Sequence, residues 1–559
     1  MHSPRLYSVL TVVSVLLVLA VSSPAQSMNR QVGTQFTVTA DPLVPRPSEM
    51  PCKVQLFTAY QFAHFSDSNQ TFQYSPPPGC SGPYAAVVLE VDFSENAGEQ
   101  FDRSASLYLA NTNLYFGTTP EPLETETNTW HVERDITDYT SLLSAPQVGT
   151  IVLQNCTTDC PPPYQFLNGV FTVSADLEFY PAPKNSQVRP DVVLPLLQPD
   201  GNGGYNLPGF LFSTTDQLTT TFTLPTNIEQ AYLDVVTQGQ QSDEFWYSCV
   251  PDDLTSELES CGGTAFREAE ISIDGQPAGI APVYPWIFTG GIDPFLWVPI
   301  PGVQTLDFVP YRVNLTPFAA LLSDGQQHTV AMNVENVNSQ FSVTGTLVLF
   351  EDHGSTQVTG QLTKNTIQPP NPVVKTNLHV NGSNVIGTVT TTSHRQFELA
   401  GFVNTSHGKV VTRVQQSVDF SNQQGFKIDA EKYVQDISQH TPVNSAVSSN
   451  AASTTQSFSY PLSLGIFVTF PNGQTVETTT VSQEFNNTTA NPLYTTTVDN
   501  LVESKDTVNF NTGQNSGAQS GQQYTFVDTR GRGYSCGIAS NDNTLKAVTS
   551  GCNKTIKFK

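Results

Sequence analysis

The sequence predicts an all-β protein whose domains are β-sandwiches or jelly rolls. Short stretches in which apolar and polar residues alternate recur along the chain, and Gly, Pro and Asn separate them, as in strands joined by turns. Charged residues make up only 13% of the chain, which disfavours long surface helices and fits sheets with neutral polar faces. At 559 residues the chain exceeds one ordinary domain, so two to four domains are expected.

The N-terminus has the pattern of a secretory signal peptide, predicted over residues 1–25. Arg5 supplies a positive charge, Leu6–Val21 is apolar, and Ser23–Ala25 offers small residues for cleavage. An uncleaved membrane anchor is the alternative interpretation. No second apolar stretch approaches the length needed to span a membrane, so we expect a secreted or periplasmic protein that is soluble after cleavage.

The first domain is predicted over residues 50–182, after a polar, Pro-containing leader. The first candidate strand is mostly apolar, as a buried strand is, and the last alternates strictly, as a half-buried antiparallel strand does. The predicted strands are Ala85–Phe93, Ser106–Phe116, Val148–Leu153 and Val170–Tyr180.

A Pro- and Gly-rich linker, residues 181–208, leads to a second strand-rich domain predicted over residues 208–355. A second linker, residues 357–376, precedes a third β-rich domain, residues 376–559, which is rich in Thr, Ser, Asn and Gln. All four tryptophans precede residue 300, so we expect the third domain to support the others rather than to perform chemistry.

The even number of cysteines predicts disulfides in an exported chain. Sequence does not fix their connectivity, but neighbours in the chain suggest four local bridges: Cys52–Cys80, Cys156–Cys160, Cys249–Cys261 and Cys536–Cys552. A zinc site is the alternative. The chain contains no CxxC pair, and its nine histidines lack HxH or HExxH spacing, so no metal centre is predicted.

The formal net charge of −25 argues against a nucleic-acid partner, because the chain has no basic stripe to meet phosphates. The charge fits an uncharged or weakly charged substrate. It also suits an acidic medium, in which carboxylates protonate and repel one another less.

Three stretches contain residues able to do chemistry. In Phe101-Asp102-Arg103 an acid and a base adjoin where a loop enters a strand, although a solvated turn pair is the commoner interpretation of such a sequence. Trp246 lies among acids and aromatics in Ser242–Ser248, and an exposed tryptophan there could stack on a sugar ring. In Phe266–Gly275, alternation places Arg267 on one face and Glu268 on the other, where a charged solvent face is the ordinary alternative.

These residues resemble the peptide:N-glycosidases, which are peptide-N4-(N-acetyl-β-glucosaminyl)asparagine amidases. Phe101–Arg103 and Asp135–Tyr139 are similar to motifs of the flavobacterial enzyme. Asp243–Ser248, Phe266–Glu268 and Ile287–Ile292 resemble the plant-type, acid-active group and its bacterial relatives. The resemblance covers nearly the whole mature chain and implies two adjacent jelly rolls with the active site between them. It also implies hydrolysis of the amide joining N-acetylglucosamine to asparagine in N-glycopeptides or N-glycoproteins, without a metal or organic cofactor.

The resemblance also implies roles for individual residues. Asp102 matches the principal catalytic aspartate, and Arg103 adjoins it. The glutamate of the flavobacterial enzyme falls at Gly263 here, so Glu244 and Glu268 are the candidates for the second acid. Glu244 is favoured because it lies near Trp246. A third carboxylate of that enzyme aligns with Asn155. The predicted substrate-binding residues are Arg103, Asn155, Trp246 and Arg267.

Two other functions remain open from the sequence. An endoglycosidase would use paired carboxylates on the sugar side of the bond. A non-catalytic glycan-binding β protein would suit the Thr- and Asn-rich third domain. The oligomeric state is not predicted.

Overall fold

The computed structural model describes residues 36–121, 124–182, 189–197, 207–450 and 452–553. The predicted signal peptide lies outside these residues. The all-β prediction is confirmed. Eight strands form the first sandwich: β1 Cys52–Phe62, β2 Asn69–Tyr74, β3 Tyr84–Glu95, β4 Ser104–Leu109, β5 Thr112–Thr118, β6 Asn128–Asp135, β7 Gln147–Leu153 and β8 Phe171–Pro181.

The strand order of this sandwich is that of a jelly roll. One antiparallel sheet has the order β1-β8-β3-β6 and the facing sheet has the order β2-β7-β4-β5. The single strand predicted over Ser106–Phe116 was wrong, because the stretch is a hairpin of β4 and β5. Ala110 and Asn111 have φ of 46° and 65°, left-handed values that turn the chain. The hairpin pairs Ser104 with Thr118, so the residues before β4 and after β5 meet at one end.

The second sandwich repeats this strand order. Its strands are β9 Val192–Pro195, β10 Gly209–Leu211, β11 Leu218–Thr223, β12 Ile228–Gln240, β13 Glu268–Ile273, β14 Gln276–Pro282, β15 Tyr311–Asn314, β16 Gln327–Val334 and β17 Gln340–Glu351. One sheet has the order β10-β17-β12-β15, with β9 added on β17, and the other has the order β11-β16-β13-β14. Strand β9 comes from the stretch expected to be a linker.

The third region is one large antiparallel sheet. Its strands are β18 Thr359–Asn365, β19 Val373–Asn381, β20 Asn384–Thr405, β21 Gly408–Ile428, β22 Lys432–His440, β23 Pro442–Ser449, β24 Ala452–Ser459, β25 Leu462–Thr469, β26 Val476–Ala490, β27 Thr495–Asn509, β28 Gln514–Asp528, β29 Arg532–Asn541 and β30 Thr544–Val548. The order runs β18-β20-β21-β22-β25-β26-β27-β28-β29-β30, and β23 and β24 connect β21 to β26. Strand β18 again comes from an expected linker.

Helical structure in the described residues is confined to single turns. The α-helices are α1 Thr255–Leu258 and α2 Ala319–Leu322. The 3-10 turns are Phe65–Asp67, Thr137–Tyr139, Leu142–Ser144, Gln241–Asp243, Trp246–Ser248, Asp252–Leu254, Pro294–Trp297, Thr316–Phe318, Pro471–Gly473 and Ser550–Asn553. Across the described ranges, no helix is long and apolar enough to cross a membrane.

All four suggested disulfides are present: Cys52–Cys80, Cys156–Cys160, Cys249–Cys261 and Cys536–Cys552. Each closes a local loop. The Cys249–Cys261 bridge closes the loop that follows β12, next to the predicted Glu244.

Backbone hydrogen bonds join the two sandwiches directly. Phe308 N–H donates to the Phe116 carbonyl at 2.8 Å, and Thr118 N–H donates to the Thr305 carbonyl at 2.9 Å. Phe116 and Phe308 also pack edge to face, with ring centroids 5.3 Å apart. Strand β5 is therefore fixed against the second sandwich, which sets the position of the loop that follows β5.

Candidate functional site

The end of the β4–β5 hairpin holds two acids and one base together. Asp102 and Arg103 precede β4, and Glu121 lies three residues beyond β5. The two segments bind each other, because Arg103 N–H donates to Thr119 Oγ1 at 2.8 Å and Thr119 N–H donates to the Arg103 carbonyl at 2.7 Å. Asp102, Arg103 and Glu121 are each only partly buried, so they line a surface that a substrate can reach.

The second sandwich brings Glu244 to the same place. Glu244 follows β12 by one 3-10 turn. Near its end, β12 is tied to the start of β4, because Gln238 Nε2 and Gln240 Nε2 each donate to Ser104 Oγ at 3.1 Å. This link joins the strand that follows Asp102 to the strand that leads to Glu244.

A glycine from the second sandwich lies between Asp102 and Glu121. Thr289 Oγ1 donates to the Thr119 carbonyl at 2.6 Å, which holds this loop against the first sandwich. A Cβ on Gly290 would lie 2.4 Å from Asp102 Oδ1 and 2.3 Å from Glu121 Oε2, so a side chain there would collide with both. These two distances to one point make the carboxylate oxygens close neighbours. Glycine is required here for this close approach.

The acids of the site interact, and their pKa values are raised. Burial raises the pKa of Asp102 to about 6, although Arg103 and the Gly290 N–H both lower it. Burial, and then the charge of Asp102, raise the pKa of Glu244 to about 8. Burial, and then the charge of Asp102, also raise the pKa of Glu121 well above its usual value. Near neutral pH these values favour the ionised form of Asp102 and the protonated form of Glu244, as an acid–base mechanism requires.

Sequence reasoning missed Glu121. It lies in a loop with Glu124 and Glu126, which has the composition of a solvated acidic turn. Recognising the hairpin would have revealed it, because the loop after β5 must meet the residues before β4. The prediction of one strand over Ser106–Phe116 concealed this relation.

Behind Arg103 lies a buried polar chain that includes Asn155. Arg103 Nη2 donates to Gln100 Oε1 at 2.6 Å, and Gln100 Nε2 donates to Asn155 Oδ1, also at 2.6 Å. Asn155 is 1% exposed and donates in turn to the carbonyls of Phe62 and Gly169. The structure therefore places Asn155 two contacts from Arg103, where it orients the guanidinium and is shielded from a substrate.

Glu95 adds a fourth carboxyl beneath the site. It is fully buried, and neither of its carboxylate oxygens has a hydrogen-bond partner among the described residues. Burial, and then the charge of Glu121, raise the pKa of Glu95 well above its usual value, and Arg103 lowers it. Arg103 therefore faces Asp102, Glu95 and Glu121 together.

Arg267 is buried and fixes the loop that carries Glu244. Its guanidinium binds Asp243 Oδ1 through Nη2 at 2.7 Å, and both side chains are fully buried. The Asp243 carboxylate also accepts backbone N–H bonds from Asn338, Ser339 and Gln340. The prediction that Arg267 binds substrate directly is corrected, because burial keeps its guanidinium from an external ligand.

Two further predicted residues lie elsewhere than expected. Trp246 is only 2% exposed and packs on Phe420 of the third sheet, so it offers no open face to a sugar. Glu268 is 1% exposed, and its carboxylate pairs with Arg395 on β20 rather than facing solvent. The neighbours that shift the pKa of Glu268 are Glu270, Arg395 and Glu335, which are all outside the Asp102 site. The structure thus brings Glu244, and not Glu268, to Asp102.

Among the described residues, two clusters outside this site have the composition of a metal site. They are Glu90 with His131 and Glu133, and Glu229 with Asp352 and His407. The guanidinium of Arg46 already binds Glu90 and Glu133 in the first cluster, at 2.8 Å and 2.6 Å. In the second, Asp352 accepts hydrogen bonds from the Ser406 and Gly354 N–H groups. Their carboxylates are thus engaged by protein donors.

Known families and structures resemble this chain over most of its length. Residues 42–368 match the family model of peptide N-acetyl-beta-D-glucosaminyl asparaginase amidase A, and residues 388–462 match the model of the PNGase_A C-terminal domain. The peptide-N4-(N-acetyl-beta-glucosaminyl)asparagine amidase A of Prunus dulcis is 31% identical over 461 residues, which cover 78% of this chain and 76% of that protein.

Two solved structures are more distantly similar. A structure of PNGF-II is 15% identical with a TM-score of 0.36, and the similarity covers 54% of this chain and 66% of that one. A structure of peptide-N(4)-(N-acetyl-beta-D-glucosaminyl) asparagine amidase is 16% identical with a TM-score of 0.35, covering 54% of this chain and 96% of that one.

Proposed function

Because the chain belongs to the peptide N-acetyl-beta-D-glucosaminyl asparaginase amidase A family, we propose that it hydrolyses the amide between N-acetylglucosamine and asparagine in N-glycopeptides or N-glycoproteins. The observation that carries this proposal is the placing of Asp102, Arg103 and Glu244 at one surface between two jelly rolls, with unequal pKa values on the two acids. The intact glycan leaves as a glycosylamine, which then loses ammonia, and asparagine becomes aspartate.

The roles of the two acids follow from their pKa values. Asp102, with a pKa raised to about 6, is the more acidic of the two and serves as the base that removes a proton from the attacking water. Glu244, with a pKa raised to about 8, still holds its proton and gives it to the leaving nitrogen. Arg103 adjoins the base and favours its ionised form. These steps need no metal and no organic cofactor.

The same values propose a working range around neutral pH, extending to its acidic side. Turnover requires an ionised Asp102 and a protonated Glu244 at once. For the free protein this state is most populated between about pH 6 and about pH 8, and the activity falls on either side. A negatively charged protein also repels itself less in acid.

We also propose that the protein acts outside the cytosol, secreted or periplasmic. The four disulfides support an oxidising compartment. The proposed partner is the N-glycan-bearing peptide or protein, and the acidic surface disfavours nucleic acid. The division into three domains, with bounds at residues 50–182, 208–355 and 376–559, is likewise a proposal; the separate sheets support the number of domains, whereas β9 and β18 extend the second and third beyond these bounds.

The activity is tested by incubating the protein with a defined N-glycopeptide and measuring the mass of the peptide product by mass spectrometry. Conversion of the glycosylated asparagine to aspartate is the expected result. A peptide that keeps one N-acetylglucosamine would replace the amidase with an endoglycosidase. An unchanged peptide, together with retained binding to the glycan, would instead indicate a non-catalytic glycan-binding protein.

A further inference from the structure

One acid of the site has no role in the mechanism above. Glu121 comes from the first sandwich, as Asp102 does, and reaches the site from the other arm of the β4–β5 hairpin. The bond of Thr119 N–H to the Arg103 carbonyl fixes the backbone of one arm against the other. The relative position of the two acids is thus set by the hairpin, and the contact of Thr289 with the Thr119 carbonyl holds the arm that carries Glu121 from the second sandwich.

Gly290 shows how close the two carboxylates are. Asp102 Oδ1 and Glu121 Oε2 lie 2.4 Å and 2.3 Å from the point that a Cβ would occupy on that residue, so the two oxygens are less than about 5 Å apart. The Gly290 N–H donates to Asp102, which leaves Glu121 without this stabilisation of its ionised form. Glu121 is also partly exposed, so its carboxyl can meet a ligand that enters the site.

We propose that Glu121 is a further catalytic carboxyl, which shares one proton with Asp102 and donates it to the carbonyl oxygen of the scissile amide. This inference rests on the proposed function. Two adjacent carboxyls of which only one can ionise are a known means of hydrolysing amides, because one activates water while the other polarises the carbonyl. The proton passes between them directly or through one water molecule.

The protons balance through the cycle. Asp102 takes a proton from water as the water oxygen bonds to the amide carbon, and Glu121 gives its proton to the carbonyl oxygen. When the tetrahedral intermediate collapses, that hydroxyl returns a proton to Glu121, and Glu244 protonates the departing nitrogen as the C–N bond breaks. Asp102 then passes its proton through solvent to Glu244. One water is consumed, and each acid regains its starting state.

The surroundings of Glu121 hold it in the protonated form. Arg103 opposes this, while negative charges face Glu121 from both sandwiches and from the segment before β4. Burial is the largest contribution to its raised pKa. The charged groups that face it are Asp102, Arg103, Glu244, Glu99 and Glu95.

The test compares wild-type protein with Glu121→Gln, Glu121→Ala and the matched control Glu126→Gln. Glu126 follows Glu121 in the same acidic stretch of sequence, whereas the charges that raise the pKa of Glu121 are those of Asp102, Glu244 and Glu99. If Glu121 donates a proton, Gln fails as fully as Ala, and kcat falls by about 10²–10³ while KM changes by less than threefold. The control keeps wild-type kcat. Recovery of kcat in Glu121→Gln would overturn the inference, because a merely structural role needs only the shape and hydrogen bonds of Gln.

A second readout does not depend on turnover. Infrared difference spectra between wild-type protein and Glu121→Gln report the protonated carboxyl of Glu121 as pH is varied. We expect this carboxyl to be protonated at pH 7 in wild-type protein and to titrate at lower pH in Asp102→Asn, where the neighbouring charge is gone. If Glu121 titrates at the same pH in Asp102→Asn as in wild-type protein, the two carboxyls do not share a proton and the inference is overturned. If Asp102→Asn shifts the titration of Glu121 but the wild-type protein leaves glycopeptides intact, only the proposed function is overturned.

Discussion

Two groups of carboxylates in the first sandwich differ in how they are neutralised. Glu90, Glu133 and Glu178 lie on β3, β6 and β8 and surround Arg46, whose three guanidinium nitrogens bind one each at 2.6–2.9 Å. Lys53 adds a second cation, 2.5 Å from Glu178. Hydrogen bonds from Lys53, Tyr180 and Arg46 outweigh burial and lower the pKa of Glu178 to about 2.

In the candidate site, the acids have fewer cations and hydrogen-bond donors to neutralise them. Asp102, Glu121 and Glu95 share the field of Arg103, the charge next to Glu244 is that of Asp102, and Glu95 has no hydrogen-bond partner among the described residues. Burial is the first cause of the raised pKa of each acid. The number of acids is similar in both places, so the difference lies in the number of cations and donors.

This difference separates stabilisation from chemistry. Carboxylates that are fully paired stay ionised over the whole physiological range and hold strands and leader together. Carboxyl groups that are left unpaired keep protons that they can transfer. Their burial is unfavourable, and interactions elsewhere in the fold must offset it. Substitutions in each group test whether paired carboxylates serve stability and unpaired carboxyls serve catalysis.

The largest effect is expected for Asp102→Asn. Asn preserves the size of the side chain but cannot accept a proton, so kcat should fall by about 10³–10⁴ while the thermal midpoint stays within a few degrees of wild type. Mass spectrometry of the peptide product measures the rate, and circular dichroism checks the fold. A variant with more than a tenth of wild-type kcat would remove Asp102 from the role of base.

The paired variants Glu244→Gln and Glu268→Gln decide the second acid. Glu244→Gln removes the proton given to the leaving nitrogen, and we expect kcat to fall by about 10²–10³ and the alkaline limb of the pH profile to disappear. Glu268→Gln breaks the contact with Arg395 and should lower stability while kcat of the folded protein is kept. The opposite pattern of kcat values would assign the role to Glu268.

Much of the fold could be predicted from the sequence, because alternation and turn residues are local signals. Strands β3, β7 and β8 lie where the pattern placed them, and all four disulfides follow from neighbouring cysteines. The β4–β5 hairpin was missed, because Ala110-Asn111 lacks the glycine that marks most two-residue turns.

The site was harder to predict, because burial and pairing are properties of the folded chain. Asp102 and Glu244 were found through resemblance, yet the partners of Arg267 and Trp246 lie in other elements. The third sheet also contacts the loop after Glu244: Asn422 donates to the Tyr247 carbonyl at 2.8 Å, and Gln435 donates to the Ser248 carbonyl at 3.0 Å. No periodicity within that loop could reveal this support.

In the cluster of Arg46 with Glu90, Glu133 and Glu178, the substitution Arg46→Ala should lower stability and leave kcat unchanged. The substitution leaves three mostly buried carboxylates with Lys53 and His131 as their remaining partners, and we expect the free energy of unfolding to fall by about 2–3 kcal/mol. Arg413→Ala is the matched control, because Arg413 pairs with Glu398 at an exposed position, so its loss should lower stability far less. Equal losses in the two variants, measured by denaturant unfolding, would contradict the stabilising role of the Arg46 cluster.

The smallest expected effect is the pH dependence of stability, in which the two groups act with opposite signs. Acids with raised pKa values bind more protons in the folded protein than in the unfolded chain, so Asp102 and Glu244 cost stability as pH rises from about 4 through about 6 and about 8. Glu178, with its pKa lowered to about 2, contributes stability above about pH 4 that is lost as pH falls toward 2. The thermal midpoint should therefore be highest near pH 4–5 and several degrees lower at pH 8.

Glu244→Gln isolates the contribution of the site to that curve. Its neutral amide cannot ionise, so the variant should lose less stability than wild type between pH 5 and pH 8 while its behaviour below pH 4 is unchanged. Arg46→Ala should do the reverse, because it removes the group that lowers the pKa of Glu178 and leaves Asp102 and Glu244 as they were. Differential scanning fluorimetry across this range gives both slopes. If the thermal midpoint changes with pH in the same way in both variants, the candidate site and the Arg46 cluster do not differ in the way their contacts indicate.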